Sequence, residues 1–304
     1  MEILERDPHI ELRVNSEDRG CTRDELVSGF QWADGALTML SDKIDRELLE
    51  VAPRLRVVAN YAVGYNNIDL TAANERHVVV TNTPHCLAEA TADLTMGLLL
   101  AVARRLVEGD GLVRAGLFKG WAPEFLLGMD LHGKTLGIIG LGEIGTCVAR
   151  RARAFGMRIV YCARHEAPTA SELQAERVEL PELLRRSDVV SLHCPLTAET
   201  KGMLGAAQLA AMKPTAYLIN TARGACIDEN ALIEALRTHA IAGAALDVYD
   251  GEPNVKAGFM ALKNVVLAPH LGSAATETRV TMGHVAISNI LAVLNGGIAP
   301  NPVN

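Results

Sequence analysis

The sequence predicts an α/β protein built from two doubly wound, parallel-sheet domains. Three observations point there. Short β-branched runs take turns with helical patterns over nearly the whole chain, which is the order that builds βαβ units and parallel sheets. The runs fall into two series, with a long helical segment between them. The chain has 304 residues, 49% of them hydrophobic, enough for two domains that each bury a core of their own.

In the first series, strands are expected at "IELRV", "GALTM", "LRVVAN" and "HVVVTN", and helices at "DKIDRELLEVAP" and "NIDLTAANER". A single long helical segment follows, "AEATADLTMGLLLAVARRLVEGDGLVRAG". The second series supplies "TLGIIG", "MRIVYC", "DVVSLHC", "AYLINTA", "AGAALDVY" and "NVVLAPH", with helical patterns between most of them. The chain closes on another helical segment, "ATETRVTMGHVAISNILAVLNGG". The two long segments are expected to join the domains and line the cleft between them. The resulting division is one domain over 1–83 completed by 273–304, and a second over 84–272. No internal repeat or low-complexity tract interrupts it.

Composition removes several classes of function. The net charge is −7 and the 29 basic residues are scattered, so no basic stripe exists to track a phosphate backbone, and nucleic acid is not an expected partner. The opening "MEILERD" lacks a basic n-region and an apolar h-region. The longest apolar run, "LTMGLLLAVA", is too short to span a bilayer. No membrane is therefore expected, and the cytoplasm is the expected location. The six cysteines, Cys21, Cys86, Cys147, Cys162, Cys194 and Cys226, form no C-x-x-C pair, so reduced thiols are expected and neither a metal site nor a disulfide framework.

The stretch "TLGIIGLGEIGTCVARRARAFGMRIVYCARHE" carries the sharpest signal. Gly140, Gly142 and Gly145 form G-x-G-x-x-G between an apolar strand and the helix "EIGTCVARRARAF". The first glycine permits the tight turn, the second lets the backbone approach a pyrophosphate, and the third lets helix and strand pack closely. Free N–H groups at the helix N-terminus then meet the anion. Leu141, Glu143 and Ile144 lie in the same turn and are assigned to the same contact. This is the fingerprint of a Rossmann-like, dinucleotide-binding domain; the alternative is a glycine-rich turn with no ligand.

At the end of the next strand, a carboxylate would normally accept hydrogen bonds from the adenosine ribose. The chain instead reads Tyr161, Cys162, Ala163, Arg164, His165. A guanidinium can grip a 2′-phosphate with forked hydrogen bonds, so Arg164, helped by His165, points to NADPH over NADH, and Cys162 and Ala163 are assigned to the same cofactor contact. The alternative is a solvated arginine beside a site that takes either cofactor.

Three residues sit just beyond the carboxyl ends of expected parallel strands, the edge where open α/β sheets bind ligands. They are Arg223 in "LINTARGACIDE", Glu252 in "ALDVYDGEP" and His270 in "VVLAPHLGSAA". A histidine can exchange a proton near neutral pH, a carboxylate beside it favours its charged form, and an arginine can hold a carboxylate substrate and polarise its carbonyl. Together they suit reduction of a 2-keto acid. Taken singly, they read as a strand-end salt bridge, a turn residue before Pro253 and a satisfied histidine.

"LGIIGLGEIG", "LINTARGACIDENAL", "AALDVYDGEP" and "NVVLAPHLGSAA", in this order and spacing, resemble the D-2-hydroxyacid dehydrogenase family over nearly the whole chain. "VANYAVGYNNIDL", "VTNTP", "ATADLTMGLLLA" and "YCAR" look closest to its NADP-preferring glyoxylate and hydroxypyruvate reductases. The resemblance implies a flavodoxin-like substrate domain beside the NAD(P)-binding domain, and a small 2-keto or 2-hydroxy acid as substrate. It makes His270 the acid that protonates the keto oxygen, Glu252 its partner and Arg223 the substrate clamp. The Val63 and Gly64 amides would receive the substrate carboxylate, from a glycine-bearing turn suited to cradle an anion.

The resemblance also assigns Thr221, Ala222, Leu271 and Gly272 to the cofactor, and Asp247 to the nicotinamide carboxamide, with a solvated strand-end acid as the alternative for Asp247. Trp121, in "KGWAPEFLLG", matches a tryptophan placed near the neighbouring subunit's active site; an ordinary dimer-contact or core aromatic is its alternative. The segment around it resembles a dimerisation arm, which implies a homodimer.

Family members usually begin with a strand and the first helical turns ahead of "MEILERDPHIELRV". Their lack here implies a small-domain sheet without its first strand and with an open edge close to the "NYAVG" loop. Either the start is placed too late, or the chain is a shortened variant whose activity is reduced or lost while the cofactor domain still folds. Two other readings stay open: a 3-phosphoglycerate dehydrogenase type, which should prefer NAD, and a non-catalytic dinucleotide sensor that keeps the fold.

Overall fold

The computed structural model describes residues 8–304 apart from 16 and 18, so the opening "MEILERD" lies outside the described residues. The chain divides into two compact units, one of residues up to Leu87 together with Ala275–Asn304, the other Ala88–Ala274. Both are α/β.

In the first unit, the strands Gly35–Thr38 (β1), Val57–Asn60 (β2) and Val79–Thr81 (β3) alternate with the helices Arg23–Trp32 (α1), Arg46–Glu50 (α2) and Leu70–Glu75 (α3). The strands pair in parallel in the order β1-β2-β3. Each helix starts on a side-chain cap, Thr22, Asp45 and Asp69, that accepts a backbone N–H of the first turn. All four residues of β2 are buried. Val57 and Ala59 face the terminal helix, Thr276–Leu294, through Ala286, Ile290 and Val293. Val58 turns the other way, onto Phe30, Leu48 and Leu49. A strand covered on both faces reads as a continuous apolar run for this reason.

One expected strand is absent. "IELRV" alternates apolar and polar residues, yet residues 10–14 form no ladder. Val14 is 60% exposed, and the Arg13 guanidinium sits over the Trp32 ring at 4.0 Å. Alternation produces a strand only where a neighbouring strand offers its backbone, and among the described residues none does here. β1 accordingly pairs with β2 alone among the described residues.

The second unit carries Thr135–Ile139 (β4), Arg158–Cys162 (β5), Glu176–Arg177 (β6), Val189–Leu192 (β7), Tyr217–Asn220 (β8), Gly243–Leu246 (β9) and Val265–Leu267 (β10). They run parallel in the order β10-β9-β8-β7-β4-β5-β6, so the winding reverses between β4 and β7. Ile138 packs with the helices Ala88–Ala103 (α4) and Glu143–Ala154 (α6) on one face. Ile139 packs on the other, with Leu183 and Leu184 of Leu180–Arg186 and Leu232 of Glu229–Arg237.

The helical segment expected to run unbroken from residue 88 stops at Ala103 and resumes as Leu106–Arg114 (α5). Met129 returns past the helix end and its N–H takes the Ala103 carbonyl at 2.8 Å. A Cβ on Gly128 would come within 2.2 Å of that same oxygen. Arg105 then adopts a φ of 53°, a left-handed conformation that no helix interior tolerates. α5 has no buried residue, and Leu106, Val107 and Val113 lie exposed on it.

Candidate active site

The glycine turn lies where the strand order reverses, the place at which open α/β sheets bind ligands. Gly140 has a φ of 94°, and a Cβ there would meet the backbone of His193 and Cys194 at 2.8–2.9 Å. A Cβ on Gly145 would lie 2.3 Å from the Gly140 carbonyl, so α6 can dock on the turn only with glycine at that position. Gly142 opens α6, and a Cβ on it would meet nothing within 4 Å. Two glycines are therefore demanded by packing, and the third faces open space. That division fits a dinucleotide pyrophosphate at the helix N-terminus. Leu141 is buried in the core and Ile144 packs against it, which leaves these two only their backbone to offer a ligand. Gly142 and Glu143 are exposed.

At the end of β5, the Cys162 carbonyl accepts the Gly140 N–H at 2.9 Å, and burial pushes the Cys162 thiol up from its ordinary pKa. Ala163 is half-buried and Arg164 and His165 are exposed. Arg177, which sequence reasoning missed, donates to both the Ala163 and Arg164 carbonyls at 2.9 Å. It shapes the loop and brings a second cation to it.

His270 and Glu252 meet. His270 Nδ1 lies 2.7 Å from Glu252 Oε2, and Glu252 Oε1 accepts the Tyr249 N–H at 2.9 Å. Burial alone would raise the Glu252 carboxyl, but the His270 ring and the Tyr249 amide outweigh it and hold the group below its usual value. With Nδ1 engaged, Nε2 is the ring nitrogen left to face a substrate. His270 has a φ of 56°, and its N–H binds the Asp247 carbonyl at 2.9 Å.

Asp247 is fully buried, which excludes a solvated strand-end acid. Its two carboxylate oxygens accept the Leu271 and Gly272 amides at 2.6 and 2.8 Å, and burial raises its pKa. Leu271 is 41% exposed, while Gly272 is buried and its carbonyl accepts Thr91 Oγ1 at 3.0 Å.

Arg223 follows β8 in extended conformation. Its Nη1 donates to the Ala222 carbonyl at 2.7 Å, burial lowers its pKa, and the Glu252 charge opposes that shift. The neighbouring Gly224 explains how the two loops meet, since a Cβ there would lie 2.0 Å from the Tyr249 carbonyl carbon. Tyr249 in turn donates its hydroxyl to Leu246 and Ala268 at 3.2 and 3.0 Å. Glycine and tyrosine thus bring Arg223, Glu252 and His270 to one edge of the sheet. Thr221 is buried with its hydroxyl 2.9 Å from that of Thr95, and the Ala222 N–H donates to Asn220 Oδ1 at 3.0 Å.

His193 also stands at this edge, beyond β7 and against the Gly140 turn, and went unnoticed although its strand-end position repeats that of His270. Its Nε2 is 2.8 Å from Ser191 Oγ, and its Nδ1 is buried with no partner among the described residues. Burial lowers its pKa from 6.5 to about 3. A neutral folded histidine opposes protonation that the unfolded chain accepts, so stability present above 6.5 is lost as the pH falls from 6.5 toward about 3. Melting temperatures measured across that window should fall less steeply for His193→Gln than for the wild type; parallel curves would refute the burial argument.

In the other unit, the loop after β2 carries Val63 and Gly64, both half-buried. Among the described residues, neither N–H group has an acceptor. Trp121 is 84% exposed, which excludes a core role, and Leu117, Phe118 and Leu127 near it are exposed as well. Among the described residues all six cysteines are free, no group of side chains is arranged to hold a metal, and no helix is long and apolar enough to cross a membrane.

Known proteins resemble this chain in sequence and in fold. The model of the D-isomer specific 2-hydroxyacid dehydrogenase NAD-binding domain matches residues 96–272. A glyoxylate reductase from Thermococcus litoralis is 50% identical over 299 residues, spanning 97% of this chain and 90% of the relative. The crystal structure of TT0316 protein from Thermus thermophilus superposes with a TM-score of 0.89 at 52% identity, covering 93% of this chain and 90% of the other. An NADPH-dependent glyoxylate/hydroxypyruvate reductase from Sinorhizobium meliloti, in complex with NADP and malonate, gives a TM-score of 0.83 at 36% identity over 93% of this chain and 86% of its own. Matched by the family model over more than half its length and by a half-identical relative over nearly all of it, the chain belongs to the D-isomer specific 2-hydroxyacid dehydrogenases and is an NAD(P)-dependent oxidoreductase.

Proposed function

We propose that the chain reduces glyoxylate, and hydroxypyruvate with it, to the 2-hydroxy acid, taking NADPH in preference to NADH. The observation that carries the reading is the His270–Glu252 pair at 2.7 Å on the same sheet edge as Arg223. The glycine turn Gly140 to Gly145 would hold the reduced nicotinamide dinucleotide, which would supply the hydride that the keto carbon accepts. His270 delivers a proton from Nε2 to the keto oxygen, and Glu252 stabilises the charged ring before transfer and orients it. Arg223 holds the substrate carboxylate and draws electron density from the carbonyl. Val63 and Gly64 are proposed as the second anchor for that carboxylate.

The NADPH preference is supported by Arg164 just beyond the end of β5, by Arg177 on the same loop, and by the NADP-bound relative. The cofactor contacts proposed are Gly140 to Gly145, Cys162 to Arg164, Thr221, Ala222, Asp247 and His270 to Gly272. A homodimer belongs to the same reading, supported by the exposed apolar residues of α5 and of the segment around Trp121; a monomeric mass by light scattering would remove it.

The test is the initial rate of reduced-nicotinamide oxidation with each acceptor and each donor. NADPH with glyoxylate or hydroxypyruvate should be fastest. A faster rate with NADH would overturn the cofactor preference, and turnover only of phosphorylated 2-keto acids would favour the phosphoglycerate dehydrogenase reading.

A further inference from the structure

The loop after β2 is held in a way that the proposed chemistry does not by itself require. Its three successive carbonyls, Ala62, Val63 and Gly64, all accept hydrogen bonds from within the unit: from the Thr83 N–H at 2.9 Å, from Asn82 Nδ2 at 2.9 Å and from Asn60 Nδ2 at 2.8 Å. A trans peptide is planar, with its C=O and the following N–H pointing in opposite directions. Fixing the Ala62 carbonyl therefore turns the Val63 N–H away from Thr83. Fixing the Val63 carbonyl turns the Gly64 N–H away from Asn82. These are the two amides left without an acceptor among the described residues.

Asn82 is itself immobilised at its backbone. Its N–H donates to the Asn301 carbonyl at 3.3 Å, and its carbonyl accepts Asn289 Nδ2 at 3.3 Å. Asn289, on the terminal helix, is completely buried and exchanges further hydrogen bonds with Asn301. The anchor reaches from the terminal helix through Asn289 and Asn82 to the Val63 carbonyl. Asn60 is braced as well, since Thr38 Oγ1 donates to its Oδ1 at 3.3 Å and its side-chain amide pairs with that of Asn67 at 3.2 Å.

We propose that Asn82 is a positioning residue for substrate binding: its side-chain amide, by holding the Val63 carbonyl, aims the Gly64 N–H at the carboxylate of a 2-keto acid. The inference rests on the reading that this loop receives the substrate carboxylate. No group on Asn82 touches the reacting atoms. Its effect passes entirely through the orientation of one peptide plane.

The experiment uses the full chain and the variants Asn82→Ala, which deletes the donor, and Asn82→Asp, which keeps the shape but sets an acceptor against the Val63 carbonyl. Calorimetry on the NADPH-loaded protein reads affinity for oxamate, a carboxylate that cannot be reduced as substrate. Glyoxylate kinetics read KM against kcat, with NADPH affinity and melting temperature as controls. Oxamate affinity and KM should each worsen about tenfold in Asn82→Ala, and further in Asn82→Asp, with kcat within about twofold of wild type and NADPH affinity unchanged. Unchanged oxamate affinity in both variants overturns the proposal. So does a loss in which oxamate affinity, NADPH affinity and melting temperature all decline together, because that pattern belongs to a merely structural residue. A wild-type chain that binds oxamate but turns over no 2-keto acid would sink the functional reading alone, with the calorimetric arm still deciding the role of Asn82.

Discussion

His270→Asn is expected to lower kcat for keto-acid reduction by about 10²–10⁴-fold, the usual contribution of a positioned general acid. The asparagine amide can still reach toward Glu252, but it has no proton to give at neutral pH. The growing alkoxide would then take its proton from water. NADPH affinity should change far less than kcat, because His270 is one of many proposed cofactor contacts and the glycine turn with its packing is elsewhere in the unit. Stopped-flow single turnovers beside a fluorescence titration of NADPH separate the two. A variant that kept most of its kcat would show that another group protonates the substrate.

Arg223→Ala is expected to reduce kcat/KM by about 10²–10³-fold, combining the loss of a charged anchor with misalignment of the keto carbon. Its stability should suffer far less than its activity, because burial already acts against the Arg223 charge. A large activity loss at a little-changed melting temperature is therefore the signature to look for. Kinetics near wild type would mean that the clamp is a different residue, and collapse of the melting temperature would assign Arg223 to the scaffold instead.

The alternation of strands and helices was legible because a two-sided parallel sheet writes itself as short apolar runs, and β2, β4 and β7 are buried along their whole length. "IELRV" misled because alternation states only that a segment could pair. The break after Ala103 was hidden because the competing donor, Met129, lies 26 positions further on, and nothing local announces it. In the site, Arg223, Glu252 and His270 were readable from their places at strand ends, but the contacts that assemble them were not. Gly224 looks like any turn glycine until the Tyr249 backbone is placed against it. Arg177 sits on a two-residue strand too short to leave a pattern. Asn82 was hidden in the same way, because its work is done through a carbonyl 19 residues earlier in the chain.

The strand order of the larger sheet also sets a sequence of events on the ribosome. β4, β5 and β6 leave the exit tunnel first and can pair at once, while the opposite edge of β4 waits for β7. For that interval, an apolar strand, "TLGII", presents an unsatisfied backbone edge to its surroundings or to a neighbouring nascent chain. Slowing translation of the residues added while β7 is still inside the tunnel would lengthen the exposure, and speeding it would shorten it. Codon choice downstream of β7 should therefore influence how much of the protein is recovered in native form, although it alters no amino acid.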